Sequence, residues 1–208
     1  VISLDQVLVV DVESTCWEGS PPPGQVSEII EIGICPLEVS AGVRGERRSV
    51  LVRPTRSSVS PFCTRLTTLT QEQVDGGVSF AEACAVLRKE FRSDRRVWAS
   101  YGDYDRKMFD RQCAAFGVGY PFGPRHVNVK TLFALSHALR REVGMAEAMR
   151  IAGHELDGTH HRGHDDAYNI AGLLAELISP VRRIPVEADR ADAGRVPPHG
   201  DGERARTR

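Results

Sequence analysis

The chain has 208 residues, a formal net charge of −1 and 26% charged residues. That length admits one globular domain, or one domain with a tail, and the near-neutral balance excludes a global basic field for nucleic acid while leaving room for a local basic path. The five cysteines (Cys16, Cys35, Cys63, Cys84 and Cys113) form no Cys-x-x-Cys pair, which argues against a zinc cluster or a disulfide framework; with no signal peptide and no apolar run of bilayer length, the expectation is a reduced cytoplasmic protein with no membrane partner.

The first element is Val7-Leu8-Val9-Val10-Asp11-Val12-Glu13-Ser14-Thr15, a buried strand that ends in acids. Strand side chains alternate faces, so Asp11 and Glu13 point with Val7 and Val9 to one side while Leu8, Val10 and Val12 point to the other. Two carboxylates at the end of an apolar strand are either solvated or held by a divalent cation. A proline-rich loop with Trp17 follows, then a second strand from Glu28 to Ile34, a turn at Ala41-Gly42 and a third strand from Ser49 to Val52 stopped by Pro54. Short connections make these three an antiparallel meander. Arg44, Arg47, Arg48, Arg53 and Arg56 on the turn and third strand read either as a soluble edge or as a phosphate-contacting path.

Thr70 with Gln73, and Ser79 with Glu82, fit capping boxes. The second launches a helix whose Phe80, Cys84, Leu87 and Phe91 share a face. A strand at Val97–Ser100 leads through Gly102 and Asp103, read as an N-cap, into a helix from Tyr104 to Phe116. A last strand lies at His126–Val129. Helices follow at Thr131–Arg140 and Met145–Ala152, and a final one runs through Leu177. This order predicts an α/β sandwich whose mixed five-stranded sheet, three strands antiparallel and two parallel, is flanked by helices. Residues 1–179 form the domain, and residues 180–208, rich in Pro, Arg, Asp and Gly, are expected to be a disordered tail.

Two helices carry acids on apolar stripes. Asp105 precedes Met108, Phe109, Cys113 and Phe116 by three, four, eight and eleven positions, and Asp166 precedes Ile170, Leu173, Leu174 and Leu177 by four, seven, eight and eleven. Asp165, one position round, is expected to face outward near Asn169. An acid in the first turn can simply favour the helix dipole. Two of them together with the strand-end pair point to convergence around cations. His161 should lie on the loop before the last helix, where an imidazole is suited to general-base work.

Asp11-Val12-Glu13-Ser14-Thr15-Cys16, Ser27 to Gly33, Gly102-Asp103-Tyr104-Asp105 and His161 to Ala171 together resemble the DEDDh 3′→5′ exonucleases, and within them the Eri-like branch that includes the histone-mRNA 3′-end exonucleases. The resemblance implies a ribonuclease H-like fold, two Mg²⁺ or Mn²⁺ ions, and release of nucleoside 5′-monophosphates from a free 3′ end of single-stranded RNA or DNA. It also implies that Asp11, Glu13, Asp105 and Asp166 are the metal ligands and His161 the general base. Val12, Ser14 and Thr15 would line the pocket for the terminal nucleotide, with the segment Leu66 to Leu69 packing on its sugar and base. Trp17, from its place on the loop beside the acids, reads either as a stacking platform for a terminal base or as an anchor of its loop. The same residues would serve an oligoribonuclease or a polymerase proofreading subunit. A nucleic-acid-binding module without catalysis is the remaining alternative, and the tail would be the handle for a protein partner.

Overall fold

The computed structural model describes residues 2–179; the tail expected at 180–208 lies outside them. Strands β1 (Ser3–Ser14), β2 (Ile29–Glu38), β3 (Val43–Arg44), β4 (Arg48–Leu51), β5 (Arg96–Ser100) and β6 (His126–Asn128) form one sheet in the order β3-β2-β1-β5-β6, with β4 also beside β2. Pairings among β1, β2, β3 and β4 are antiparallel, and β1-β5 and β5-β6 are parallel. The mixed sheet flanked by helices agrees with the expected class, but six strands replace the expected five.

The extra strand has a physical cause. β2 pairs through Leu37 and Glu38 with β3, and through Glu31 to Ile34 with β4. Between these ladders Cys35 and Pro36 of β2 face Gly45, Glu46 and Arg47, one residue more. The surplus residue is a bulge that splits the third strand in two. It falls at Pro36, which has no N–H to give to a ladder, while its carbonyl accepts from Gly45 N at 2.7 Å.

Helices α1 (Pro61–Thr67), α2 (Gln71–Asp75), α3 (Phe80–Phe91), α4 (Tyr104–Phe116), α5 (Val129–Ser136), α6 (Met145–Ile151) and α7 (Gly163–Ile178) complete the domain. Both capping boxes form, at Thr70/Gln73 and Ser79/Glu82. Asp103 occupies the N-cap position of α4 but makes no side-chain cap; its carboxylate turns to Arg106 at 3.4 Å instead. The alternation of β1 sorts the core into two layers. Leu8, Val10 and Val12 pack with Phe80, Leu87, Met108 and Phe109 of α3 and α4. Val9 packs on the other side with Phe133, Ala148, Ile170 and Leu174 of α5, α6 and α7. Asp11 and Glu13 fall in phase with Val9 and thus on the α7 side. No described helix is long and apolar enough to cross a membrane.

α7 comes closest to the sheet at its own first residue. A Cβ built on Gly33 of β2 would stand inside the backbone of Gly163, and one on Gly163 would lie 3.0 Å from the carbonyl of Asp11. This direct contact of backbones sets how near the first turn of α7 comes to the end of β1. Gly33→Ala should therefore destabilise by at least the ~1–3 kcal/mol typical of overpacking, because neither neighbour is a flexible side chain. Urea unfolding of Gly33→Ala beside wild type checks this, and an unchanged midpoint would refute it.

Candidate active site

At the carboxyl end of β1 a cavity of about 290 Å³ is lined by Asp11, Glu13, Asp105, Asp166, His160 and His161, with Val12, Ser14, Cys16, Leu66, Tyr101, Tyr104 and Met145. Asp11, Glu13 and Asp166 each offer a carboxylate oxygen, and these lie within 4.8 Å of one another. Asp105 comes from the opposite layer. One of its oxygens accepts the backbone N–H of Val12 at 2.9 Å, so it adds charge to the cluster from just outside the trio. Among the described residues, no lysine or arginine lines the cavity. A larger cleft of about 370 Å³ lies behind α7, but there His154 already pairs with Glu176; crowding of charge, not size, marks the site.

The electrostatics follow from that crowding. Burial, then the charges of Asp105, Glu13 and Asp166, push the Asp11 carboxyl well above its ordinary range. Burial, Asp166 and Glu31 push Glu13 up to about 9. Burial pushes Asp105 up to about 7 against the opposing hydrogen bond from Val12. Burial also raises Asp166, against the pull of His160. Hard oxygen donors that resist ionising together are the donor set a divalent cation of the Mg²⁺ or Mn²⁺ type fits.

The histidine loop is held from both ends. His161 lies just before α7 at φ 65°, a left-handed conformation uncommon for a residue with a side chain and often found at functional sites. Its N–H donates to Asp166 Oδ2 at 2.9 Å, and its ring stacks on His160 with centroids 3.9 Å apart. The ring directly on Asp166 is that of His160, whose Nδ1 lies 3.1 Å from both carboxylate oxygens. Burial and the adjacent His160 hold the His161 pKa below its ordinary value. Beneath the loop, Glu31 of β2 is fully buried. It takes Arg162 Nε and Nη2 at 3.2 Å, His164 Nδ1 at 3.0 Å and the N–H of Gly163 at 3.0 Å. Burial alone would raise this acid; Arg162, Ser49 and the Gly163 amide outweigh it and hold Glu31 below the usual range.

Several expectations are corrected. Asp165 does not face outward: it is 7% exposed, accepts Thr159 N at 2.8 Å and pairs with Arg47 at 2.9 Å, because the preceding loop folds back over that side of α7. Thr15 is buried away from the cavity; its hydroxyl accepts from Glu28 N at 2.9 Å and meets Ser57, joining the end of β1 to the start of β2. Leu69 is core, packed with Ile30, Cys63 and Val74, whereas Leu66 lines the cavity. Trp17 is half-buried and is not among the lining residues. Four of the arginines turn onto the protein rather than leaving an open path: Arg44 sits over Tyr168, Arg47 on Asp157 and Asp165, Arg48 near Glu90, and Arg56 over Phe116. Tyr101, Tyr104 and Met145 were missed as lining residues. Tyr104, whose hydroxyl lies 2.6 Å from Ser14 Oγ, sat between two aspartates and was the one with a signal. Met145 arrives through a loop that Tyr101 pins by donating to Val143 O at 3.0 Å, a contact no local pattern announces.

Comparison with known proteins places the whole domain among nucleases. The profile of the Exonuclease (RNase_T) family matches residues 8–174. The rat protein 3′-5′ exoribonuclease 1 is 28% identical over 187 residues, covering 84% of this chain and 53% of its own length; the Drosophila 3′-5′ exonuclease Snipper is 24% identical over 194 residues, covering 83% of this chain and 69% of its own. The chain thus spans about half the length of the mammalian 3′-5′ exoribonuclease 1 relatives it matches. Among solved structures, the nuclease domain of 3′hExo, a DEDDh family member bound to rAMP, superposes with a TM-score of 0.78 at 26% identity, covering 86% of this chain and 95% of that one.

The raised carboxyl groups make the metal-free protein sensitive to pH. An acid whose pKa is higher in the fold than in the unfolded chain binds more protons when folded, so stability falls as pH rises between the two values. For Glu13 and Asp105 the loss begins near their ordinary values of 4.5 and 3.8 and is complete above about 9. Adding Mg²⁺ or Mn²⁺ should offset it, by about 2.7 kcal/mol at a hundredfold excess over Kd. Melting temperatures with metal and with chelator should therefore separate more at about pH 8 than at about pH 5, and Asp11→Asn should reduce the separation. An equal response at both pH values would contradict this account of the site.

Proposed function

The chain belongs to the Exonuclease (RNase_T) family, and from that premise we propose that it is a metal-dependent 3′→5′ exonuclease that hydrolyses single-stranded nucleic acid, RNA in preference to DNA, from a free 3′ end to nucleoside 5′-monophosphates. The observation that carries the reading is the convergence of Asp11, Glu13 and Asp166 within 4.8 Å, in a cavity shared with Asp105 and the two histidines. The names of the relatives, exoribonucleases and a 3′-5′ exonuclease, support the direction of attack and favour RNA. Five unpaired cysteines suit a reducing, cytoplasmic setting.

In this reading Asp11, Glu13, Asp105 and Asp166 hold two Mg²⁺ or Mn²⁺ ions. Such ions supply charge neutralisation at the scissile phosphate and a water of lowered pKa. His161 takes the proton of the attacking water: its depressed pKa keeps the imidazole neutral near pH 7 and able to accept. Asp166 holds the backbone of His161 and so ties the position of the base to that of a ligand. Glu13 accepts a hydrogen bond from the terminal 3′ hydroxyl, and Val12, Ser14 and Leu66 bound the space for the last nucleotide. A site closed around the chain terminus in this way refuses internal or blocked ends.

The test is release of mononucleotides from matched single-stranded RNA and DNA carrying 5′ or 3′ labels, with Mg²⁺ or Mn²⁺. Asp11→Asn should fold and release nothing measurable, and a 3′-phosphorylated substrate should resist. His161→Ala should lower turnover by about 10²–10⁴, the range for a lost general base. Cutting of circular RNA at the rate of linear RNA would show an endonuclease and overturn the proposal.

A further inference from the structure

The bulge opposite Pro36 turns Arg47 out of the β3–β4 edge and towards α7. There its guanidinium lies over the Tyr168 ring, 4.8 Å from the centroid, and divides between two acids. Nη2 is 3.1 Å from Asp157 Oδ1 and Nη1 is 2.9 Å from Asp165 Oδ1. These acids bracket the segment that carries both histidines. Asp165 uses its second oxygen to accept the N–H of Thr159 at 2.8 Å. Asn169, one turn on in α7, accepts from Asp157 N and donates to Asp157 O, both at 3.0 Å. Gly158, at φ +86°, lies so close to the Asp165 carboxylate that no side chain would fit between them. The contacts to Asp157, Gly158 and Thr159 act on the residues immediately before His160 and His161.

We propose that Arg47 is a positioning residue that acts through Asp165 to hold the segment 157–161, and with it His160 and His161, against Asp166. Charge and burial explain why this pair serves. The Asp165 side chain is 11% exposed and the Arg47 side chain 33%, so removing the arginine leaves an acid in a low-dielectric setting whose remaining basic partner among the described residues is the more distant His164, at 3.4 Å. That acid then shifts or draws in water, and the Thr159 hydrogen bond that fixes the loop goes with it. The planar guanidinium reaches two carboxylates at once, hydrogen-bonding Asp157 through Nη2 and pairing by charge with Asp165 through Nη1; a lysine ammonium is a point charge and cannot span them in the same way. The role lies far from the chain's acidic motifs in sequence, on the arginine-rich turn, and differs from a phosphate contact.

The kinetic half of the proposal rests on the exonuclease reading; the structural half does not. Wild type, Arg47→Ala, Arg47→Lys, Asp165→Asn and the double variant Arg47→Ala/Asp165→Asn are compared on a short single-stranded RNA with Mn²⁺. Arg47→Ala should lower kcat by about 10–10²-fold, as small misplacements of a reacting group do, with KM within about twofold of wild type. Arg47→Lys should recover part of the loss. The double variant should be no worse than the poorer single one, since both act on one contact. A raised KM with unchanged kcat and a weaker dependence on salt would mark Arg47 as a phosphate contact and overturn the proposal. Independently of activity, the imidazole NMR signals of His160 and His161 should shift in Arg47→Ala and in Asp165→Asn while those of His126 and His137 stay in place. Unshifted His160 and His161 signals would overturn the positioning role whatever the rates. Shifted signals in a protein whose wild type releases no nucleotide would leave positioning intact and refute the exonuclease reading.

Discussion

One buried carboxylate fixes where the last helix begins. Glu31 is fully buried in β2, yet every oxygen is engaged: by the Arg162 guanidinium, the His164 ring, Ser49 and the free N–H of Gly163. The first turn of α7 has no side-chain cap of its own, so an acid from the sheet supplies one from outside, where the helix dipole also favours negative charge. Two glycines, Gly33 and Gly163, let the backbones meet. Asp166, three residues into the helix, is thereby delivered to the end of β1, and His161, two residues before it, is delivered to the same cavity.

The acids of the site are the electrostatic opposite of Glu31. Glu31 is buried with positive and donor groups around it, and its carboxyl is held low. Asp11 and Glu13 are surrounded by other acids, and theirs are driven up. Both arrangements are costly to assemble, but only the first is satisfied by the protein itself. The contrast separates a carboxylate that builds the fold from carboxylates that need something more, and it does so without reference to any relative.

The site also draws on both layers of the sandwich. Asp11 and Glu13 come from β1 and face α7; Asp105 comes from α4, whose apolar stripe packs on the other face of the sheet. The two layers meet at the strand end, where Asp105 takes the N–H of Val12. A rigid strand therefore joins the two sources of charge and fixes their separation. The histidine segment is irregular, and it is tied down by side chains of Arg47, Asp165, Asn169 and Asp166.

Much of this was legible in the chain alone. Alternation placed Asp11 and Glu13 on one face of β1, and helical phase placed Asp105 and Asp166 on buried stripes, because those periodicities are local properties of backbone geometry. The capping boxes at Thr70 and Ser79 were equally local and formed as read. The same phase argument misplaced Asp165: burial of its side of α7 comes from a returning loop and an arginine more than a hundred residues away, which no window on the helix contains. Thr15 and Leu69 followed their motifs in sequence but face the core, since which way a loop residue turns is decided by its neighbours in space. The split of the third strand needed the position of Pro36 in the ladder. Sequence determined which residues could carry charge on an inward face; only the tertiary structure decided which of those faces share a cavity, because that depends on contacts, such as Gly33 with Gly163 and Arg47 with Asp165, between segments far apart in the chain.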